Sequence, residues 1–135
     1  MLQIVNKLKE KGYVKLNPDT NNVYGRAEGG TIYVVVIGSG HNLDADDLKR
    51  FNNKIISDIS QDTDKDIRLL NILLMPDGVF DDRINHMIEV MDNLWLFTED
   101  YGKFYVFENQ IGDFDDLADI LDHEIKIEKK KDSNR

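Results

Sequence analysis

The chain has 135 residues, 41% apolar and 32% charged, the length and composition of one domain able to bury a core of its own. Its net charge of −9, from 26 acidic against 17 basic side chains, repels a phosphate backbone and argues against nucleic acid as a partner. With no cysteine there is no disulfide, no thiolate nucleophile and no cysteine-ligated metal centre, and a reducing, cytoplasmic compartment suits the sequence.

Residues 1–7 alternate polar and apolar side chains and lack the form of a signal peptide. Leu2, Val5 and Leu8 stand at helical spacing and predict a short amphipathic helix that stops at Gly12. Residues 13–16 and 23–26 flank Asn17-Pro18-Asp19-Thr20-Asn21-Asn22, a turn-forming stretch, and predict a hairpin. Gly29-Gly30 breaks the chain again before Thr31-Ile32-Tyr33-Val34-Val35-Val36-Ile37. That β-branched run lacks alternation, as a strand covered on both faces does, and is expected at the centre of a sheet. Its apolar part, Ile32 to Ile37, is the longest in the chain and far below the ~20 residues of a membrane-spanning helix.

Asn42 is the expected N-cap of a helix over residues 43–59, in which Leu48, Phe51, Ile55 and Ile59 form a stripe and Asp46 can pair with Arg50. A polar loop over residues 61–66 leads to a second apolar strand, residues 67–75, ended by Pro76-Asp77-Gly78. Ile84, Met87, Ile88 and Met91 predict a third helix. Leu94-Trp95-Leu96-Phe97 and Phe104-Tyr105-Val106-Phe107 predict an aromatic hairpin, and a last helix opens at Asp113 with Phe114, Leu117, Leu121 and Ile125 facing inward. The expected order is αβββαβαββα: an α/β (α+β) domain over residues 1–127 with a mixed sheet of five to six strands, helices packed on it, and a polar basic tail at 128–135.

Tests for chemistry return weak signals. Gly38-Ser39-Gly40-His41 sits between a strand and a helix, where glycine loops cradle phosphate, but Leu43 replaces the third glycine and three aspartates follow. Asp62, Asp64 and Asp66 imitate a calcium loop that then fails at Ile67 and Leu73, where a glycine and a bidentate glutamate belong. Asp113, Asp115, Asp116 and Asp119 read as charge placed at a helix N-terminus. His41, His86 and His123 have no metal-ligand spacing, and no Gly-x-Ser-x-Gly elbow is present. These readings assign no catalytic residue, no metal site and no cofactor.

The leading αβββαβ order resembles the core of restriction-endonuclease-like proteins, whose core strands carry an acid and an acid-x-Lys pair that hold magnesium. The matching strand here, residues 31–37, has neither acid nor lysine, so the resemblance implies the core without its metal site. A second resemblance rests on Leu69-Leu70-Asn71-Ile72-Leu73-Leu74, the aromatic hairpin, and Phe107-Glu108-Asn109-Gln110-Ile111-Gly112-Asp113-Phe114. Over residues 67–122 this text resembles the amino-terminal cytoplasmic domain of Firmicutes rhomboid-family intramembrane serine proteases. That resemblance implies a non-catalytic regulatory or docking domain at the cytoplasmic face of the membrane. Its partner would be a transmembrane protease domain C-terminal to it, or that protease's protein substrates. Phe107, Glu108, Asn109, Gln110, Asp113 and Phe114 are the candidate interaction surface, and the serine-histidine pair of the family has no counterpart here. Lys129, Lys130 and Lys131 suit the cytoplasmic flank of a following membrane helix. The rival expectations are a free-standing protein-interaction module and a degenerate nuclease-like or metal-sensing domain.

Overall fold

The computed structural model describes residues 2–16, 22–39, 44–75, 82–91, 93–98, 103–107, 114, 117 and 125–128. In chain order its elements are α1 (Leu2–Glu10), β1 (Val14–Lys15), β2 (Asn22–Glu28), β3 (Thr31–Ser39), α2 (Ala45–Ser60), β4 (Asp66–Met75), α3 (Asp82–Val90), β5 (Leu94–Thr98), β6 (Lys103–Phe107) and β7 (Ile125–Glu128). Through β6 this is the order the sequence predicts.

Local chemistry explains the boundaries. Helix α1 ends because Gly12 takes a left-handed φ of 93° that a side chain would strain. Gly12 N–H then donates to Lys9 O at 3.0 Å and Tyr13 N–H to Leu8 O at 3.0 Å, the paired bonds of a Schellman stop, and Tyr13 packs with Leu8 in the core. Helix α2 begins two residues later than Asn42 would set it. Asp44 is the N-cap, extended at φ −112°, and its side chain accepts from Asp47 N–H at 2.8 Å. Arg50 pairs with Asp47, one turn back, in place of the expected Asp46.

All seven strands lie side by side in sequence order, β1 through β7. β1, β2 and β3 are an antiparallel meander; β3, β4 and β5 are parallel; β5 and β6 are antiparallel; β6 and β7 are parallel. Handedness then decides which face each crossover covers. Right-handed connections from β3 to β4 and from β4 to β5 put α2 and α3 on one face. The β5–β6 hairpin reverses strand direction, so a right-handed link from β6 to β7 belongs on the opposite face. Phe114 and Leu117, from that link, do pack there with Ile4, Val5 and Leu8 of α1.

The β3 run is walled in as its composition predicts. Val34 and Val36 pack toward Ile55 and Ile59 of α2, Val35 and Ile37 toward Leu8 of α1, and all four strand residues are buried. Alternation on β4 repeats the division: Leu70 and Ile72 face α1, while Leu69, Leu73 and Met75 face the other two helices.

Strand β7 corrects the expected end of the chain. Ile125 was expected on a helix, yet Ile125–Glu128 pairs in parallel with β6, from Phe104 opposite Ile125 to Phe107 opposite Glu128. The open edge of β6 supplies the ladder that four residues cannot stabilise alone. Among the described residues the sheet therefore has seven strands, the last ending at Glu128. The remainder of the expected last helix, apart from Phe114 and Leu117, lies outside the described residues.

Candidate functional site

Strand β6 ends at Phe107, where the expected docking surface begins; Glu108, Asn109, Gln110 and Asp113 lie outside the described residues, as does the Phe107 side chain. Phe114 does not belong to a surface. It is 5% exposed, and its ring meets Tyr33 edge-on with centroids 5.7 Å apart. An aromatic side chain beside the α1 layer gains more from burial than from display, which is why this member of the set is core. Trp95 and Phe97 of the aromatic hairpin are likewise buried, under the same layer.

Arg26 stands out on that face. The Arg26–Tyr33 register places it directly across from Tyr33, and its guanidinium lies 5.2 Å from that ring and 5.5 Å from the ring of Tyr13. Glu28 accepts from it. Desolvation lowers its pKa, but hydrogen bonds from the guanidinium to Glu28 and Tyr13 outweigh that, and the net direction is up from an already high value. Arg26 is therefore a fixed cation clamped between two rings, a structural latch between α1 and the β2–β3 hairpin.

The open edge at β1 shows two apolar side chains, Val14 at 61% and Leu16 at 42% exposure. Gly25 lies opposite Val14, and a Cβ there would stand 2.7 Å from a Leu16 methyl, so the missing side chain is what lets Leu16 lie over β2.

On the α2–α3 face the apolar packing is interrupted. Asn71 of β4 is 1% exposed and points to this face between Leu69, which packs under α2, and Leu73, which packs under α3. Its Nδ2 donates to Asn93 O at 3.4 Å, its backbone N–H donates to the same oxygen at 2.8 Å, and Asn93 Nδ2 returns a bond to Leu69 O at 3.0 Å. Asn93 thus continues the ladder just before β5 begins opposite Asn71. Asn52, on the inner side of α2, is also buried. Among the described residues the Oδ1 atoms of Asn52 and Asn71 have no hydrogen-bond partner.

Above this seam lies a pocket of about 240 Å³ lined by Lys49, Asn52, Asn53 and Ile56 of α2, Val90 and Met91 at the end of α3, and Asn93. The α2 residues recur at steps of three and four, which places them on one helical face. Asn52 and Met91 are buried at the pocket, while Lys49, Asn53 and Val90 are exposed at it. Neither buried asparagine belonged to any expected site. The signal was readable, since Asn52 stands four residues after Leu48 and four before Ile56 on the apolar stripe, and Asn71 is the one amide within residues 69–75.

The other expected features are placed as follows. Gly38 and Ser39 are the last residues of β3, and Gly40 and His41 lie outside the described residues. Asp62, Asp64 and Asp66 are exposed, Asp66 opening β4 and pairing with Arg68 at 2.7 Å. Among the described residues no three acidic or histidine side chains are grouped to hold a metal ion, and no helix is long and apolar enough to cross a membrane.

No protein-family model matches this chain, and neither the curated proteins nor the solved structures compared with it give a significant match.

Proposed function

We propose that the domain is a non-catalytic docking or regulatory module at the cytoplasmic face of the membrane, serving a rhomboid-like protease whose membrane segment lies C-terminal to it. What supports this reading is the resemblance over residues 67–122. Its strand and aromatic hairpin fold as β4, β5 and β6, three consecutive neighbours in one sheet, and Phe114 at the end of its Glu-Asn-Gln stretch returns to the core against Tyr33. Its described strands are thus neighbours in space as well as in sequence. The burial of the β3 run on both faces agrees with it, because the strand that carries carboxylates in restriction-endonuclease-like cores is here packing surface. Phe107, Glu108, Asn109, Gln110 and Asp113, with Phe114 removed from the set, form the proposed docking edge.

The test is co-expression of the domain with the transmembrane part of a rhomboid-family protease, followed by detergent co-purification and a substrate-cleavage assay. The expected result is co-purification and a changed cleavage rate, with Asn109→Ala and Gln110→Ala together lowering recovery while the melting temperature stays within about 2 °C. Absence of co-purification together with an unaltered cleavage rate contradicts the proposal. One observation favours a second reading, a free-standing interaction module. Among the described residues no strand pairs with the outer side of β1, which shows Val14 and Leu16, a surface to which a partner's extended strand can add.

A further inference from the structure

Among the described residues, the polar seam between α2 and α3 is where helix packing on this face gives way to buried amides, and its chemistry is one-sided. Two buried carbonyl oxygens among the described residues, Asn52 Oδ1 and Asn71 Oδ1, accept no hydrogen bond, and of the two Asn52 lines the pocket. Leaving a buried acceptor unmatched weakens the folded state, and an apolar side chain of similar size avoids that cost. The composition of the pocket above them narrows what a matching group must be. Among the described residues its lining holds three asparagines and one lysine but no carboxylate, in a chain of net charge −9. Such a surface does not attract a metal ion, which needs anionic or imidazole donors. Nor does one ammonium suit a polyphosphate, which takes several cations or a glycine-rich cradle. The volume of about 240 Å³ lies below the roughly 300–1,000 Å³ of pockets for drug-sized ligands, which limits the occupant to a small metabolite.

We propose that this pocket binds a small molecule with N–H donors at one end and a carboxylate at the other, the class of free amino acids bearing a side-chain amide. Its amide or amino N–H groups meet Asn52 Oδ1 at the buried side, its carboxylate faces the Lys49 ammonium at the rim, and its methylenes lie along Ile56, Val90 and Met91. Asn93 ties the pocket to the sheet, since its side chain holds Leu69 O while its backbone oxygen receives both donors of Asn71. Occupancy therefore bears on the start of β5 as well as on the two helices. The proposal goes beyond the docking reading and does not depend on it, because it is argued from residues 49–56, 71 and 90–93 and from none of residues 107–113.

The experiment is a titration of the ¹⁵N-labelled domain with L-glutamine, followed through the asparagine side-chain amide resonances, which report on this pocket directly. Glutamine is expected to shift the Asn52, Asn53 and Asn93 resonances saturably by about 10 mM, which corresponds to a Kd near 1 mM or tighter. Asn52→Leu, close in size, is expected to weaken the response about tenfold, the loss of one buried hydrogen bond. Lys49→Ala, an exposed substitution that leaves the fold untouched, is expected to weaken it about threefold. Acetate, which has the carboxylate and no N–H, is expected to leave the Asn52 resonance in place. Unmoved resonances at about 10 mM glutamine overturn the proposal, as does unchanged affinity in both variants or an equal Asn52 shift with acetate.

Discussion

The two faces of the sheet are covered in different ways. On the α1 face one apolar cluster runs without a break from Tyr24 on β2 through β3, β4 and β5 to Val106 on β6. On the α2–α3 face there are two clusters, one under the later turns of α2 and one joining α3 to Ala45 and Leu48 at the start of α2, and Asn71 stands between them. The strand β4 carries both conditions in adjacent residues, Leu70 at 0% and Asn71 at 1% exposure. A close-packed interior registers the loss of even one methylene, whereas an amide that lacks a partner already weakens the interior that holds it. The contrast teaches that apolar packing holds both faces, while the broken one also contains groups whose presence stability does not explain.

The most forceful way to break that comparison is Trp95→Ala, which removes the largest fully buried side chain of the α1 face. Urea unfolding is expected to show a loss of about 3–5 kcal/mol, a large part of the ~5–15 kcal/mol of a typical domain. A loss below about 1 kcal/mol would show that this face can collapse around a void and is not the source of stability. A smaller effect sharpens the picture at the rim of the same face. Arg26→Met keeps the aliphatic stem but removes the cation between Tyr13 and Tyr33, and is expected to lower stability by about 1–2 kcal/mol. Glu28 is 60% exposed, so its ion pair accounts for little of that, and the loss is expected to persist at high salt.

Much of this fold was legible because long elements repeat their signal. The stripe Leu48, Phe51, Ile55, Ile59 and the β-branched run of β3 each offer several chances for the period to show. Capping is decided by single side chains and slipped by two residues, from Asn42 to Asp44, in a stretch where several residues are competent caps. Strand β7 was missed because residues 125–128 alternate apolar and charged over too short a span, and its partner, β6, lies about twenty residues earlier. The candidate pocket was not legible as a site. Asn52 and Asn71 each sit inside an apolar pattern that names its element correctly, and what brings them to one face is the parallel β3–α2–β4 crossover, a tertiary fact. Phe114 failed in the opposite sense, because a motif read as surface contained a residue that the core takes.

The measurement that bears most directly on the contrast between the two faces is the urea midpoint of Asn71→Leu beside that of Leu70→Asn, two adjacent positions that look in opposite directions. Asn71→Leu discards only the long 3.4 Å bond to Asn93 O and removes an unmatched acceptor, while the backbone bond from Asn71 N–H is retained. Its stability is expected to be unchanged or raised by up to about 1 kcal/mol, with Leu70→Asn losing about 3 kcal/mol or more. A loss of more than about 1.5 kcal/mol in Asn71→Leu, approaching that of its neighbour, would mean that the asparagine is a structural member of the core and that the two faces are held together in the same way.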